Sequence, residues 1–215
     1  KKWEQKYKDN LAGVFIFELK SLIGRLIKSQ EPNIDCSSYL NLGCGQTKYE
    51  GFVNADFFCN FRFWSNRTAV KPDWELDFRY PLKCDNNVWE GVYTEHVLEH
   101  LYRDDVVKLL VELHRTMKVG STIRIVVPDA QAACQDYVAG KFVSEDEQGV
   151  KLIWQLTQNW SHKSVWDFDL LSEALADCGF KKIQRVSFLE GRQNALLKDS
   201  PHRRHRSLYV EAIRG

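Results

Sequence analysis

Apolar residues recur along the chain in two alternating rhythms. From Lys1 to Ser29 the spacing is helical: Phe15, Leu19, Leu22, Ile23, Leu26 and Ile27 share one face, with lysines between them, which predicts an amphipathic lead-in helix. Glu31-Pro32-Asn33 breaks it. Short strand-like runs then alternate with helical ones. Ser38–Leu42, Gly51–Asp56, Trp74–Phe78 and Gly91–Thr94 read as four strands. The β-branched run Ile123–Val127 reads as a fifth, apolar throughout as in a sheet centre covered on both faces. Asp104–Met117 is the clearest helix: Asp104 is its expected N-cap, Val106, Val107, Leu110, Val111 and Leu113 form its apolar face, and Gly120 follows its end. Asp167–Cys178, closed by Gly179, reads as another helix, and Lys182–Phe188 and Ser207–Ile213 as two final strands, expected to be antiparallel neighbours.

Strands alternating with helices predict an α/β fold, a doubly wound and mostly parallel seven-stranded sheet with helices on both faces. The expected organisation is a lead-in over residues 1–30 and one domain over residues 31–215, with residues 131–166 as a lid or insertion over the site. A chain of 215 residues suffices for one such core. The formal net charge of +1 gives the whole molecule no polyanion bias, so no nucleic-acid partner is expected. The six cysteines, Cys36, Cys44, Cys59, Cys84, Cys134 and Cys178, form no Cys-x-x-Cys pair and no zinc-site spacing. They read as reduced thiols, which suits a cytoplasmic compartment. No apolar run approaches the roughly 20 residues a bilayer span needs, so no transmembrane segment is expected, and no signal peptide is evident. The first residue is Lys1, and the chain is expected to belong to a longer, multidomain protein.

Candidate chemistry begins where the first predicted strand, Tyr39–Leu42, runs into Gly43-Cys44-Gly45. Glycines there permit a sharp bend and close approach of a ligand to the backbone. Asp56 ends the second strand and suits the two hydroxyls of a ribose; Asp77 ends the third and suits an exocyclic amine of adenine, with Phe78 packing on the ring. Taken singly, each aspartate is an ordinary turn or cap residue. Together, in order and at strand ends, they mark the edge where doubly wound sheets bind ligands. The third glycine of a dinucleotide fingerprint is missing, Thr47 and Lys48 standing nearby, which disfavours NAD. The connection from Gly45 to Phe52 is shorter than the roughly 10–12 residues of a normal crossover, so at most a single turn of helix fits.

These segments resemble class I S-adenosylmethionine (SAM)-dependent methyltransferases. Leu40-Asn41-Leu42-Gly43-Cys44-Gly45 and Gly51-Phe52-Val53-Asn54-Ala55-Asp56 look like the family's first motif and its acidic second strand. Asp77-Phe78-Arg79-Tyr80-Pro81-Leu82 resembles its adenine-binding segment, Val92–Leu101 its fourth strand and following loop, and Glu112–Gly120 the helix before its fifth strand. The resemblance spans roughly residues 38 to 188 and implies a Rossmann-like fold with SAM as cofactor. It implies a cofactor site of Gly43, Cys44, Gly45, Asp56, Phe57, Asp77, Phe78 and Glu95. The compact Gly45-to-Asp56 connection is similar to methyltransferases associated with glycan and surface-polysaccharide assembly, some fused to glycosyltransferases. That implies O-methylation of a sugar hydroxyl, a deoxyhexose among the candidates. A small metabolite, a lipid-linked precursor or a protein side chain remains open as acceptor, as does a non-catalytic SAM-binding module.

On the acceptor side, His96 follows the fourth strand and is the expected general base, its ordinary pKa near 6.5 suiting proton removal. Asp129 after the fifth strand and His162 are further catalytic candidates. Trp160 and Trp166 are expected to contact substrate, or else to pack a lid. Arg203 and Arg206, in the basic stretch Lys198–Arg206, are candidates for a phosphate or acid on the acceptor, or for a solvated hairpin. Glu99 and His100 read as structural residues at a helix start. No metal is assigned. His96-Val97-Leu98-Glu99-His100 also matches the inverted zinc-peptidase pattern, but that reading leaves the glycine bend and both aspartates unexplained.

Overall fold

A computed structural model describes residues 11–28, 31–33, 38–58 and 70–215. Cys36 and Cys59 lie outside them, as do residues 1–10 of the expected lead-in helix. Seven strands form one sheet: β1 (Tyr39–Leu42), β2 (Phe52–Asp56), β3 (Trp74–Glu75), β4 (Trp89–Glu95), β5 (Met117–Pro128), β6 (Phe180–Val186) and β7 (Ser207–Arg214). Their order is β3-β2-β1-β4-β5-β7-β6. β1 to β5 are parallel, and β7 runs antiparallel to both β5 and β6. The expected doubly wound, mostly parallel sheet is therefore present, with its last two strands antiparallel neighbours.

The helices are α1 (Leu11–Ile27), α2 (Arg103–Thr116), α3 (Ala130–Ala139), α4 (Lys151–Thr157) and α5 (Phe168–Asp177). α2 buries Val106, Leu109, Leu110 and Leu113, each stabilising by roughly 1.5–3 kcal/mol when fully covered. The core they join is built on Leu40, Leu42, Ile123, Ile125 and Val127 from the central strands. Asp104 is not the N-cap of α2. Tyr102 holds that position, and Asp104 and Asp105 sit in the first turn, where their charge complements the helix dipole. Asp167 does cap α5, accepting from the Leu170 N–H (2.9 Å).

Three boundaries differ from the sequence reading for physical reasons. β3 stops at Glu75, so Asp77 and Phe78 lie in the turn beyond it. β5 spans 12 residues because α2 passes directly into it at Met117, which pairs with Trp89 before a register shift. Between Gly45 and Gly51 there are only turns, as the short connection required.

α1 packs beside β3. Lys28 pairs with Glu75 (2.9 Å), the Arg25 guanidinium lies over the Tyr80 ring at 3.6 Å, and a Cβ on Gly24 would meet the Phe58 ring at 2.3 Å. Among the described residues, no helix is long and apolar enough to cross a membrane. Among the described residues, Cys84, Cys134 and Cys178 are free thiols.

Candidate active site

Strand order reverses between β1 and β4, and a cleft of about 930 Å³ opens there, outside the carboxyl ends of the strands. Gly43, Cys44 and Gly45 form its floor. The Gly43 and Cys44 N–H groups both donate to the Ala55 carbonyl (2.8 and 3.0 Å), locking the bend against β2. Gly43 has φ +76°, and a Cβ there would stand 2.1 Å from Val97 Cγ2, so this position admits glycine alone.

Asp56 ends β2 beside the bend. It accepts the Gly45 N–H on Oδ2 and the Phe57 N–H on Oδ1, both at 2.6 Å. Burial raises its pKa, and those hydrogen bonds only partly offset the cost of the charge. Further donors at its remaining lone pairs would therefore be favoured.

Asp77 also lines the cleft, but its lone pairs are already engaged. Ser21 of α1 donates to Oδ2 (2.5 Å), and Arg79 contributes its backbone N–H (3.0 Å), Nε and Nη2 (2.7 Å). Arg79 reaches on to Glu18 (2.6 Å), clamping α1 down. Burial disfavours the Asp77 carboxylate, yet the Arg79 and Ser21 hydrogen bonds outweigh it and hold the pKa below the ordinary range. As placed, Asp77 fastens α1 to the cleft rather than presenting a free acceptor to an amine. α1 forms one wall through Val14, Phe17 and Glu18, and Phe17 stacks on Phe57 with ring centroids 4.4 Å apart. Phe78 is buried and also lines the cleft.

Glu95 and His96 end β4. Glu95 accepts from the Ser200 N–H (2.9 Å) and hydroxyl (2.5 Å). His96 has φ +54°, a left-handed conformation uncommon for a side-chain-bearing residue, fixed by its N–H bonding the Val126 carbonyl (2.8 Å). Its Nε2 lies 3.0 Å from Ser207 Oγ. Because the Ser207 hydroxyl donates to the Arg203 carbonyl, Nε2 is the donor in that contact. Nδ1 lies 3.2 Å from Glu99 Oε1, without hydrogen-bond alignment.

Other expected site residues lie elsewhere. Asp129 is buried and caps α3, accepting the Ala132 N–H (3.1 Å) and pairing with Arg185; a carboxylate after β5 serves the next helix, not the cleft. His162 is not on the cleft wall: Nδ1 bonds the Leu156 carbonyl (3.1 Å) and the ring meets His100 edge to face at 5.0 Å. Trp166 is 1% exposed, a core residue whose Nε1–H donates to Ser164. Trp160 is 74% exposed and off the wall. Arg206 ties Asp136 and Glu147 together (2.7 Å each), holding α3 and the segment after it. Arg203 alone of the two arginines lines the cleft. The pattern His-x-x-Glu-His does not put two histidines on one α-helix face, because only Leu98–His100 is helical, a single 3-10 turn, and His96 stands outside it.

Tyr49, Tyr102 and Lys163 line the wall without any sequence signal, and Tyr93, Ser200 and His202 do so from segments the sequence marked without singling them out. The Tyr93 hydroxyl is buried without a partner among the described residues, and burial pushes its pKa up. Ser200 and Arg203 are delivered by the loop between β6 and β7. A fully buried Arg124 anchors that loop through Asp199 (Nε to Oδ1, 2.8 Å) and Glu211 (2.9 Å).

No protein-family model and no curated protein matches this sequence. Solved structures do match. A SAM-dependent methyltransferase from Archaeoglobus fulgidus superposes with a TM-score of 0.50 at 17% identity, over 95% of this chain and 100% of that one. A SAM-dependent methyltransferase from Thermotoga maritima, described as a possible histamine N-methyltransferase, gives 0.51 at 13% identity, over 95% and 92%. The chain has the class I methyltransferase fold. Within that methyltransferase fold, the glycine bend, Asp56 and Glu95 line one cleft, with β7 reversed beside β5.

Proposed function

We propose that this protein binds SAM across the carboxyl edge of its sheet and transfers the methyl group to an acceptor hydroxyl, that of a glycan sugar being the acceptor we favour. The observation that carries the reading is the pairing of Gly43, where a Cβ would meet Val97 at 2.1 Å, with an underpaired Asp56 carboxylate at the next strand end. A ribose diol supplies two donors to that carboxylate, and the bare backbone admits a ligand at close range. The bound cofactor supplies a methyl group already activated on a sulfonium. The chain's own work is to hold the acceptor in line, exclude water and accept one proton.

His96 takes that proton at Nε2 in this reading. An acceptor hydroxyl replaces Ser207, the single ring proton moves from Nε2 to Nδ1 on the side of Glu99 and so frees Nε2, and the buried carboxylate stabilises the imidazolium that results. Tyr102, with Lys163 Nζ 5.2 Å from its ring centre, and Arg203 offer an apolar face beside cations. That combination suits a sugar bearing an acidic or phosphorylated group. The test is methyl transfer from labelled SAM to glycans and sugar phosphates, against small metabolites, lipid precursors and proteins. His96→Ala is expected to lose turnover while still binding SAM. Full turnover in that variant removes His96 from the base role, and labelling of non-sugar acceptors alone removes the sugar.

A further inference from the structure

One cluster at the edge of the cleft shares only Glu99, 3.2 Å from His96 Nδ1, with the methyl-transfer reading. Glu99, His100 and His162 each present one donor atom, and the three atoms lie within 4.8 Å of one another. Glu99 is 1% exposed, and neither carboxylate oxygen has a hydrogen-bond partner among the described residues. A buried carboxylate left without donors is costly unless a cation or proton faces it.

The surrounding contacts are those of oriented ligands. The Nδ1 of His162 is 3.1 Å from the Leu156 carbonyl, so it carries the proton and Nε2 is left bare toward the cluster. The His100 ring meets the His162 ring edge to face, with centroids 5.0 Å apart. Two successive residues, Trp160 and Ser161, are left-handed (φ +60° and +61°) immediately before His162. That conformation is strained for residues with side chains, and it turns the chain so that His162 faces Glu99 and His100. The Lys163 and Ser164 N–H groups close the turn on the Glu99 carbonyl (2.7 and 3.1 Å).

We infer that Glu99, His100 and His162 form a site for one divalent transition ion of the zinc type, joining the turn after β4 to the segment between α4 and α5. Two imidazoles and a carboxylate are a common zinc donor set, with a fourth position left to water. Donors at most 4.8 Å apart lie within about 2.8 Å (4.8 divided by √3) of a common centre, so each moves inward by up to roughly 0.6–0.8 Å to reach the ~2.0–2.2 Å of zinc bonds. The inference does not depend on the SAM reading, since it is read out as metal binding by protein free of cofactor.

The test is titration of metal-free protein with Zn²⁺ by calorimetry and with Co²⁺ by visible absorption. One equivalent is expected, with Co²⁺ bands of a four-coordinate N/O site and a Zn²⁺-dependent rise in melting temperature. His162→Ala, altered at a partly exposed position, is expected to keep the far-ultraviolet circular dichroism of the parent while losing the Co²⁺ bands and at least about 100-fold in Zn²⁺ affinity. His100→Asn is expected to do the same, which guards against misfolding of one variant. No stoichiometric binding by the parent, or binding unchanged in both variants, overturns the site.

Discussion

Replacing Gly43 and Gly45 separately by alanine isolates what the cleft floor requires. Both glycines have positive φ, +76° and +53°, so each alanine pays the left-handed penalty of about 1–2 kcal/mol. They differ in surroundings. At Gly43 the new methyl lies 2.1 Å from Val97 Cγ2, a buried β-branched side chain with little rotamer freedom; at Gly45 nothing lies within 4 Å. Overpacking adds about 1–3 kcal/mol at Gly43 only, giving about 2–5 kcal/mol there against about 1–2 kcal/mol at Gly45. For a domain of this size each kcal/mol moves the melting temperature by ~2–4 °C. Scanning calorimetry of the ligand-free protein is therefore expected to show a drop of ~4–20 °C for Gly43→Ala and a smaller one of ~2–8 °C for Gly45→Ala. Isothermal titration with S-adenosylhomocysteine is expected to show weaker binding in both variants. Equal thermal shifts would refute the reasoning, because they would mean that Val97 does not limit the bend.

Other outcomes follow from single contacts. Arg124→Met leaves Asp199 and Glu211 buried without their partner and is expected to cost about 3–5 kcal/mol by denaturant unfolding. Asp56→Asn is expected to flatten the fall in melting temperature that the parent shows as pH rises through the carboxylate range, while weakening S-adenosylhomocysteine binding. The Asp56 pKa is raised in the fold, so ionisation favours the unfolded chain as pH rises through the carboxylate range, and the amide removes that penalty. Asp77→Asn has the opposite sign: its folded pKa is depressed, so its stabilisation is present above the unfolded value near 3.9 and fades as pH falls through the folded one. Melting curves of parent and Asp77→Asn protein are expected to diverge at pH 7 and converge in acid.

What could be read from sequence was local. The strand–glycine bend and Asp56 are each set by neighbours within a few residues, and they stand at the cleft. Asp129 shows the limit. An acid after a central strand looks the same whether it faces a ligand or caps the next helix, and only the Ala132 and Arg185 contacts decide between them. Trp160 and Trp166 are six positions apart and alike in kind. One is exposed; the other is buried where its neighbourhood bridges Asp129, a pairing 37 positions away in the chain. Arg203 stood out in the basic stretch and does line the cleft, but Ser200 gave no warning of its place, because the Arg124 anchor that brings their loop there is itself a long-range contact. Asp77 was found in its expected place, but its occupation by Ser21 was invisible, since nothing in α1 announces which strand end it will cover.

The reversed last strand has a consequence for biosynthesis. β7 lies between β5 and β6 and supplies the only described edge pairing of β5 opposite β4. While a ribosome is still making Ser207–Arg214, the nascent polypeptide can assemble β1 to β5 but must leave the Ile123–Val127 ladder open, with its amides and carbonyls facing solvent. Stalling or premature release in that window would expose a sticky, β-branched template, so aggregation in vivo is expected to rise with slow decoding of the codons for Ser207–Arg214.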